Sequence, residues 1–361
     1  MTKSNHYLMR PEWAAQQAVL LAWPHVSTDW AFCLHEINQT YVELVSAISE
    51  AATPLVLCQN ADHQAQIIAS LPSSVSAKCH FEQMPYNDTW CRDYGPVTLM
   101  DRTTGTAAQL LDFSFTGWGN KYEAQQDNAA NHILAERQRL RLPLQTIAFD
   151  LEGGGIETDG IGTLLTTQHC FLNSERNPDL TPADIEIKLK QHLGVDRVLW
   201  LKHGLLVGDD TDSHVDNLAR FINEDTIIYA SAEPDDSAHY QPLQLMAEEL
   251  RAFRTKEGKP YNLVSLPIPS VQIDPTNGNR LPGSYVNFLI LNDLVIASKF
   301  NAPQDATAEA TLANVFPDKR IKMIDGTQLI RQFGGPHCAT MQLPPGTLPE
   351  NLPSAPESAQ E

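Results

Sequence analysis

Residues 289–297 read LILNDLVIA, and residues 221–229 read FINEDTIIY. In each, two short apolar runs rich in β-formers flank a tight Asn-Asp or Glu-Asp turn, the pattern of a local antiparallel hairpin. Moving outward, helical spacing alternates with extended runs. A helix is predicted over 29–52, ending before Thr53-Pro54 because a proline disfavours the α region in the residue before it. TPLVLC (53–58) reads as a buried strand, followed by a helix near Asn60–Ser70 and an extended CHFEQM. Strand-like AAQLLDFSF, a polar helix at about 120–140 and strand-like GTLLTT come next. A helix then runs from Thr181 to about His192, with Thr181 placed to cap it and Pro182 at its first position. RVLWL, NLARFI, TIIYAS and NLVSLPI add strands, and helices are expected at 240–255 and 305–316. A doubly wound sheet would alternate strand and helix more strictly. The mixture predicts an α/β chain built from a hairpin-plus-helix unit, without a visible sequence repeat or an interior linker.

The 361 residues carry 25 Lys+Arg and 44 Asp+Glu, a net charge of −19. That field repels nucleic acid and anionic bilayers and favours a small cationic ligand. The 42% hydrophobic content is that of a globular chain. The N-terminus has no apolar signal region, and no apolar run approaches the ~20 residues of a spanning helix. Six cysteines (33, 58, 79, 91, 170, 338) without a CxxC pair are expected to be free thiols in a reducing cytoplasm, so sequons at Asn38 and Asn87 carry no glycan. PPGTLPENLPSAPESAQE lacks periodicity and predicts a disordered tail over 346–361.

Four stretches carry chemistry. PYNDTWCRDYGP (85–96) has loop composition. It forms either a plain Asx-capped turn or a site where Trp90 faces a planar cation and Asp93 accepts its N–H groups. DDTDSHVDNLARF (209–221) puts His214 and Asp216 two apart, on one face if the segment is a strand. It is not an EF-hand, because the sixth position from Asp210 is Val215 and the twelfth is Phe221. No companion His/Cys cluster supports a metal. FGGPHCATMQLP (333–344) places Cys338 after a glycine turn, as suits a closely approached nucleophile, although a buried structural thiol is the commoner fate of a cysteine. DLEGGGIETDGIGTLLTT (150–167) is followed by a strand, which argues against a dinucleotide loop. Glu152 there is a carboxylate suited to partner His214.

In order and chemistry these stretches resemble the agmatine deiminase branch of the guanidine-modifying enzymes, kin of the Porphyromonas-type peptidyl-arginine deiminases. The resemblance runs from PEWAAQQAVLLAWP (11–24) through NDTWCRDYGP, FTGWGNKY (115–122), EGGGIETDGIGTLLTT, TDSHVDNLARF and GSYVNFLI (283–290) to GGPHCATMQLP. Ser213 stands where the family usually has glycine, which puts that loop's conformation in question. The resemblance implies a pentein fold, a five-bladed α/β propeller of pseudo-fivefold ββαβ modules formed by one catalytic domain over residues 1–345. Carried over by motif, it implies Cys338 as nucleophile, His214 as general acid/base, and Asp93 and Asp216 as guanidinium ligands. Trp90 would pack on the substrate, Glu152 would support His214, and Asn287 would lie near the site. Agmatine is the implied substrate in a cytoplasmic step of polyamine biosynthesis, with peptidyl-arginine or free arginine as the alternative. Homo-oligomerisation, such as a dimer, is a family expectation.

The chemistry requires no metal or organic cofactor. Two carboxylates fix the guanidinium in plane, and a thiol with an ordinary pKa of ~8.5 needs His214 or the bound cation to become a thiolate. A Cys-His amidase would use the same pair with an oxyanion hole in place of the two acids. A non-catalytic cation-binding protein would need neither Cys338 nor His214.

Overall fold

The computed structural model describes residues 6–350. One arrangement recurs five times: two antiparallel strands, helical structure, and a third strand parallel to the second. Val97–Asp101, Ala107–Ser114 and Leu144–Asp150 form one such sheet, with Tyr7–Met9 added at its edge. Glu157–Thr158, Thr163–Thr167 and Arg197–Leu201 form the next. Ala219–Phe221, Thr226–Ser231 and Asn262–Pro267 follow, then Leu289–Leu291, Leu294–Lys299 and Arg320–Asp325. The fifth joins the chain's two ends, because Met341–Leu343 pairs antiparallel with Ala18–Ala22, which pairs parallel with Thr53–Cys58. His80–Gln83 extends this last sheet.

Local sequence explains the units. Asn292 turns the LILNDLVIA hairpin with φ +43°, a backbone state that Asn tolerates better than most residues. Helix Leu34–Ile48 buries Ile37, Tyr41, Leu44, Val45 and Ile48, one stripe at helical spacing, in a core shared with the fully buried strands at 18–22 and 55–58. Helix Pro182–Leu193 opens with the expected cap, a reciprocal box between Thr181 and Asp184.

Three sequence expectations change. The polar helix at 120–140 is broken into Gly117–Asn120, Gln125–Asn128 and Ala130–Glu136. Within that stretch Asn120 (φ +62°) and Gln138 (φ +59°) are left-handed and Ala124 (φ −139°) leaves the helical region, which a continuous helix cannot contain. His214 and Asp216 do not lie on a strand: His214 precedes a single 3₁₀ turn, Val215–Asn217. In the segment expected as a tail, Thr347 and Leu348 are buried, and Leu348 N donates to Gln17 Oε1 at 3.0 Å. Residues 351–361 of it lie outside the described residues. Among the described residues no helix is long and apolar enough to cross a membrane.

Candidate active site

The loops between these sheets bring Trp90, Asp93, Glu152, His214, Asp216, Asn287 and Cys338 together, all buried. Each is fixed by an identifiable local device. Asp93 sits in a helical turn, Cys91–Tyr94. Its Oδ1 accepts Gly154 N–H at 2.9 Å, and its Oδ2 accepts Trp118 Nε1–H at 2.9 Å. Gly154 has to be glycine. A Cβ built there would lie 2.6 Å from His214 Nδ1 and 2.9 Å from Asp93 Oδ1. The glycine run at 153–155 therefore lets backbone come within contact of the acids and the imidazole, and its chemistry is not phosphate binding.

His214 is held from one side. Its Nε2 lies 2.7 Å from Glu152 Oε2, and Glu152 is gripped through both oxygens by Arg176 Nε at 2.8 and 3.0 Å. Arg176 also donates to Asp212 at 2.8 Å and to Thr211 O at 3.0 Å, tying the His214 loop to the same carboxylate. That loop contains Asp212 and Ser213 with φ +62° and +65°. The left-handed state explains why glycine suits position 213, and here Asp209 Oδ2 accepts the Ser213 N–H at 2.7 Å to hold it. His214 Nδ1 is buried without a hydrogen-bond partner, 3.6 Å from Asp93 Oδ1.

Cys338 is clasped by Asn287, whose Nδ2 donates to Sγ at 3.0 Å and whose Oδ1 accepts Cys338 N–H at 3.1 Å. Sγ lies 3.3 Å from Asp216 Oδ2, while Asp216 Oδ1 is buried and unpartnered. Cys338 and Asp93 line a cavity of about 400 Å³ together with Trp90, Trp118 and Tyr122, with Asp29, Asp88 and Asp210 also in its wall, and Asp216, His214 and Asn287 lie behind that lining.

The electrostatics follow from packing acids together. Burial, and then Glu152 and Asp216, push the Asp93 carboxyl up to about 6 against the opposing pull of His214. Burial likewise raises Asp88 to about 7. Burial works against a charged His214, yet Asp93 and Glu152 hold its pKa well above the ordinary imidazole range. Burial and the two aspartates Asp216 and Asp93 push the Cys338 thiol well above its ordinary value. A cation placed between Asp93 and Asp216 reverses that last effect, because it neutralises the two charges that disfavour a thiolate. The arrangement can therefore bind a planar cation, expose it to a thiol, and move protons through His214.

Two buried triads have donor atoms close enough to share an ion: Glu152, Cys170 and His214, and Glu12, Glu157 and His337. Arginine already occupies both, Arg176 in the first and Arg220 in the second, so a divalent ion would meet a resident positive charge. The sequence reading placed no role on Trp118 or Arg176. Trp118 lies within the FTGWGNKY block, but its contact with Asp93 crosses 25 positions and has no local signature.

The family model for Porphyromonas-type peptidyl-arginine deiminase matches residues 8–344. An agmatine deiminase of Stutzerimonas stutzeri is 32% identical over 95% of this chain and 96% of its own. A cysteine-to-serine variant of Campylobacter jejuni agmatine deiminase, solved with substrate bound, is 34% identical with a TM-score of 0.86, covering 94% of this chain and 97% of that one. A Porphyromonas gingivalis structure provisionally assigned as an arginine deiminase is 40% identical with a TM-score of 0.88, covering 95% and 100%.

Proposed function

The chain belongs to the Porphyromonas-type peptidyl-arginine deiminase family, and on that premise we propose that it hydrolyses the guanidinium group of agmatine to N-carbamoylputrescine and ammonia. The observation that carries the choice of substrate is the cavity wall. Asp29 and Asp88 line it with Asp93, with no Lys or Arg among its lining residues, while Asp210, also in the wall, is paired with Lys121 at 3.3 Å. Agmatine has an ammonium at its far end and is attracted by such a wall, whereas free arginine brings a carboxylate that the same wall repels.

In this reading Asp93 and Asp216 hold the guanidinium in plane over Cys338, with Trp90 against its face and Asn287 steadying the sulfur. Binding of the cation between Asp93 and Asp216 releases the Cys338 thiol proton to solvent, and Sγ attacks the guanidinium carbon as the thiolate. One C–N bond of the tetrahedral adduct breaks, and His214, already an imidazolium, gives its proton to the departing ammonia. The thiouronium left on Cys338 is attacked by a water that His214 deprotonates. The C–S bond then breaks, releasing the ureido product and the thiol. Glu152, backed by Arg176, keeps His214 oriented throughout.

We read residues 1–345 as one catalytic domain. The fivefold recurrence of hairpin, helix and parallel strand, with the two chain ends sharing a sheet, supports a pentein propeller around this site. Six cysteines without a disulfide support a reducing, cytoplasmic setting for this polyamine-forming step.

The test offers purified protein agmatine, free arginine and an N-blocked arginine amide, and follows ammonia and ureido product. Release from agmatine at the highest kcat/KM is expected. Release confined to the blocked amide would replace agmatine with peptidyl-arginine, and no release from any of the three would end the enzyme reading.

A further inference from the structure

Asp216 has one oxygen committed and one free. Oδ2 lies 2.8 Å from His337 Nδ1, in addition to the thiol of Cys338, while Oδ1 has no hydrogen-bond partner. The second ring nitrogen of His337, Nε2, lies 2.6 Å from Glu12 Oε2. An imidazole donates from both nitrogens only as the cation. A neutral ring would set a lone pair against one of two carboxylates, in a region where both His337 and Glu12 are buried.

Glu12 is itself immobilised. Its Oε1 accepts Ile290 N–H at 2.6 Å, and its Oε2 accepts from Arg220 Nη2 at 2.8 Å. Arg220 Nε also binds Glu157 Oε1 at 2.6 Å, and Arg220 Nη1 donates to Phe288 O. The charged and titratable groups facing this assembly are Glu12, Glu157, Arg92 and Arg220 behind His337, with Asp93, His214 and Cys338 on the other side of Asp216.

We propose that His337 is a positioning residue, a buried imidazolium that grips Asp216 Oδ2 from behind and so presents Oδ1 to the substrate guanidinium, with Glu12 anchoring the ring. The inference rests on the reading of Asp216 as a guanidinium ligand. Its logic is geometric. His337 immediately precedes Cys338, so one turn of chain delivers both the thiol and the donor that orients the opposing carboxylate. Both meet the same oxygen, which registers nucleophile and anchor against each other. Glu12, in the PEW segment near the N-terminus, ties this register to the far end of the chain.

Two substitutions separate this role from simple charge filling. In His337→Asn the amide can take the place of Nδ1 and still donate to Asp216. In His337→Gln it can take the place of Nε2, reaching Glu12 and leaving Asp216 without its donor. Steady-state kinetics on agmatine should show KM raised about tenfold or more in His337→Gln, with kcat falling less, and a clearly smaller KM change in His337→Asn. Equal KM values in the two variants, or an unchanged KM in folded His337→Gln, would overturn the proposal. Nitrogen-15 NMR of histidine-labelled wild-type protein reads the charge directly, independent of folding of the variants and of the substrate. Both His337 ring nitrogens should carry a proton in the folded protein, each directed at its carboxylate. A ring nitrogen without its proton would refute the imidazolium even if agmatine is the substrate. A protein inert toward agmatine whose His337 stays doubly protonated would refute the substrate reading and support the imidazolium.

Discussion

The two sides of Asp216 use the same kinds of residue and balance them differently. Behind it, the carboxylates Glu12 and Glu157 meet Arg220 and His337 at 2.6–2.8 Å, with Arg92 a further 3.5 Å from Glu12. In front of it, Asp93, Asp88, Asp29 and Asp210 line a cavity whose lining residues include no Lys or Arg. The consequences diverge. Glu12 is driven well below the ordinary carboxylate range: burial acts to raise it, and Arg220 and His337 overcome that. Asp93 and Asp88 are pushed up to about 6 and about 7, because burial is not offset by a full complement of cations. Buried charges are tolerated when paired and costly when not. Glu157, behind Asp216, is raised by burial even beside Arg220. The contrast is therefore sharpest between Glu12 and Asp93: the one is paired with cations in the protein, and in the proposed function the other is completed by a bound cation.

The largest effect should come from the group the front is built around. Cys338→Ser is expected to lower kcat/KM by roughly 10⁴-fold or more, as loss of a covalent nucleophile does. Cys91→Ser should stay within about twofold, because Cys91 is buried against Tyr94 Oη at 3.0 Å and does not line the cavity. The reverse pattern would identify Cys91 as the reacting thiol. At the rear, Arg220→Met leaves Glu12 and Glu157 without their main cation and should cost about 3–5 kcal/mol in denaturant unfolding. A variant as stable as the wild type would show that the rear pairs are no better balanced than the front.

Smaller effects test the unbalanced side. With its carboxyl pushed up to about 6, Asp93 is expected to take up a proton below that pH and lose the charge proposed to hold the guanidinium. The kcat/KM for agmatine should therefore fall as pH drops through 6, by up to about tenfold per unit, and be restored above it. The stability contribution has the opposite sign: a carboxyl with a raised folded pKa stabilises the fold less as pH climbs from its unfolded value toward 6. A flat kcat/KM between about pH 5 and pH 7 would contradict the assignment. Asp88→Asn should leave thermal stability at about pH 8 equal or higher, by of order 1 kcal/mol, while weakening agmatine binding, since it removes a half-buried charge with no cation beside it. A clear loss of stability would mean that Asp88 is compensated after all.

How much of this the sequence disclosed depended on distance along the chain. The hairpins at 221–229 and 289–297 were legible because their signal is local, and the capped helix at 182–193 for the same reason. Asp93, His214, Asp216 and Cys338 were legible as members of short motifs dense in Gly, Pro and charged residues. The shared strand face considered for His214 and Asp216 does not arise, because alternation of side chains cannot reveal the left-handed pair Asp212-Ser213, which turns the chain just before them. The helix at 120–140 failed likewise at Asn120 and Ala124. Partners were the least visible. Arg176 reaches Glu152 across 24 positions, and His337 reaches Glu12 across 325. Nothing in the spacing of either residue marks it, because tertiary folding alone brings them together.

The central claim is that a guanidinium completes the front of the site and is attacked by Cys338. Acid quenching during turnover of agmatine, followed by proteolysis and mass spectrometry, tests it most directly. The account predicts a peptide containing Cys338 heavier by the mass of agmatine less ammonia. Consumption of agmatine with that adduct on another residue, or with no adduct under conditions that trap thiouroniums, would contradict it.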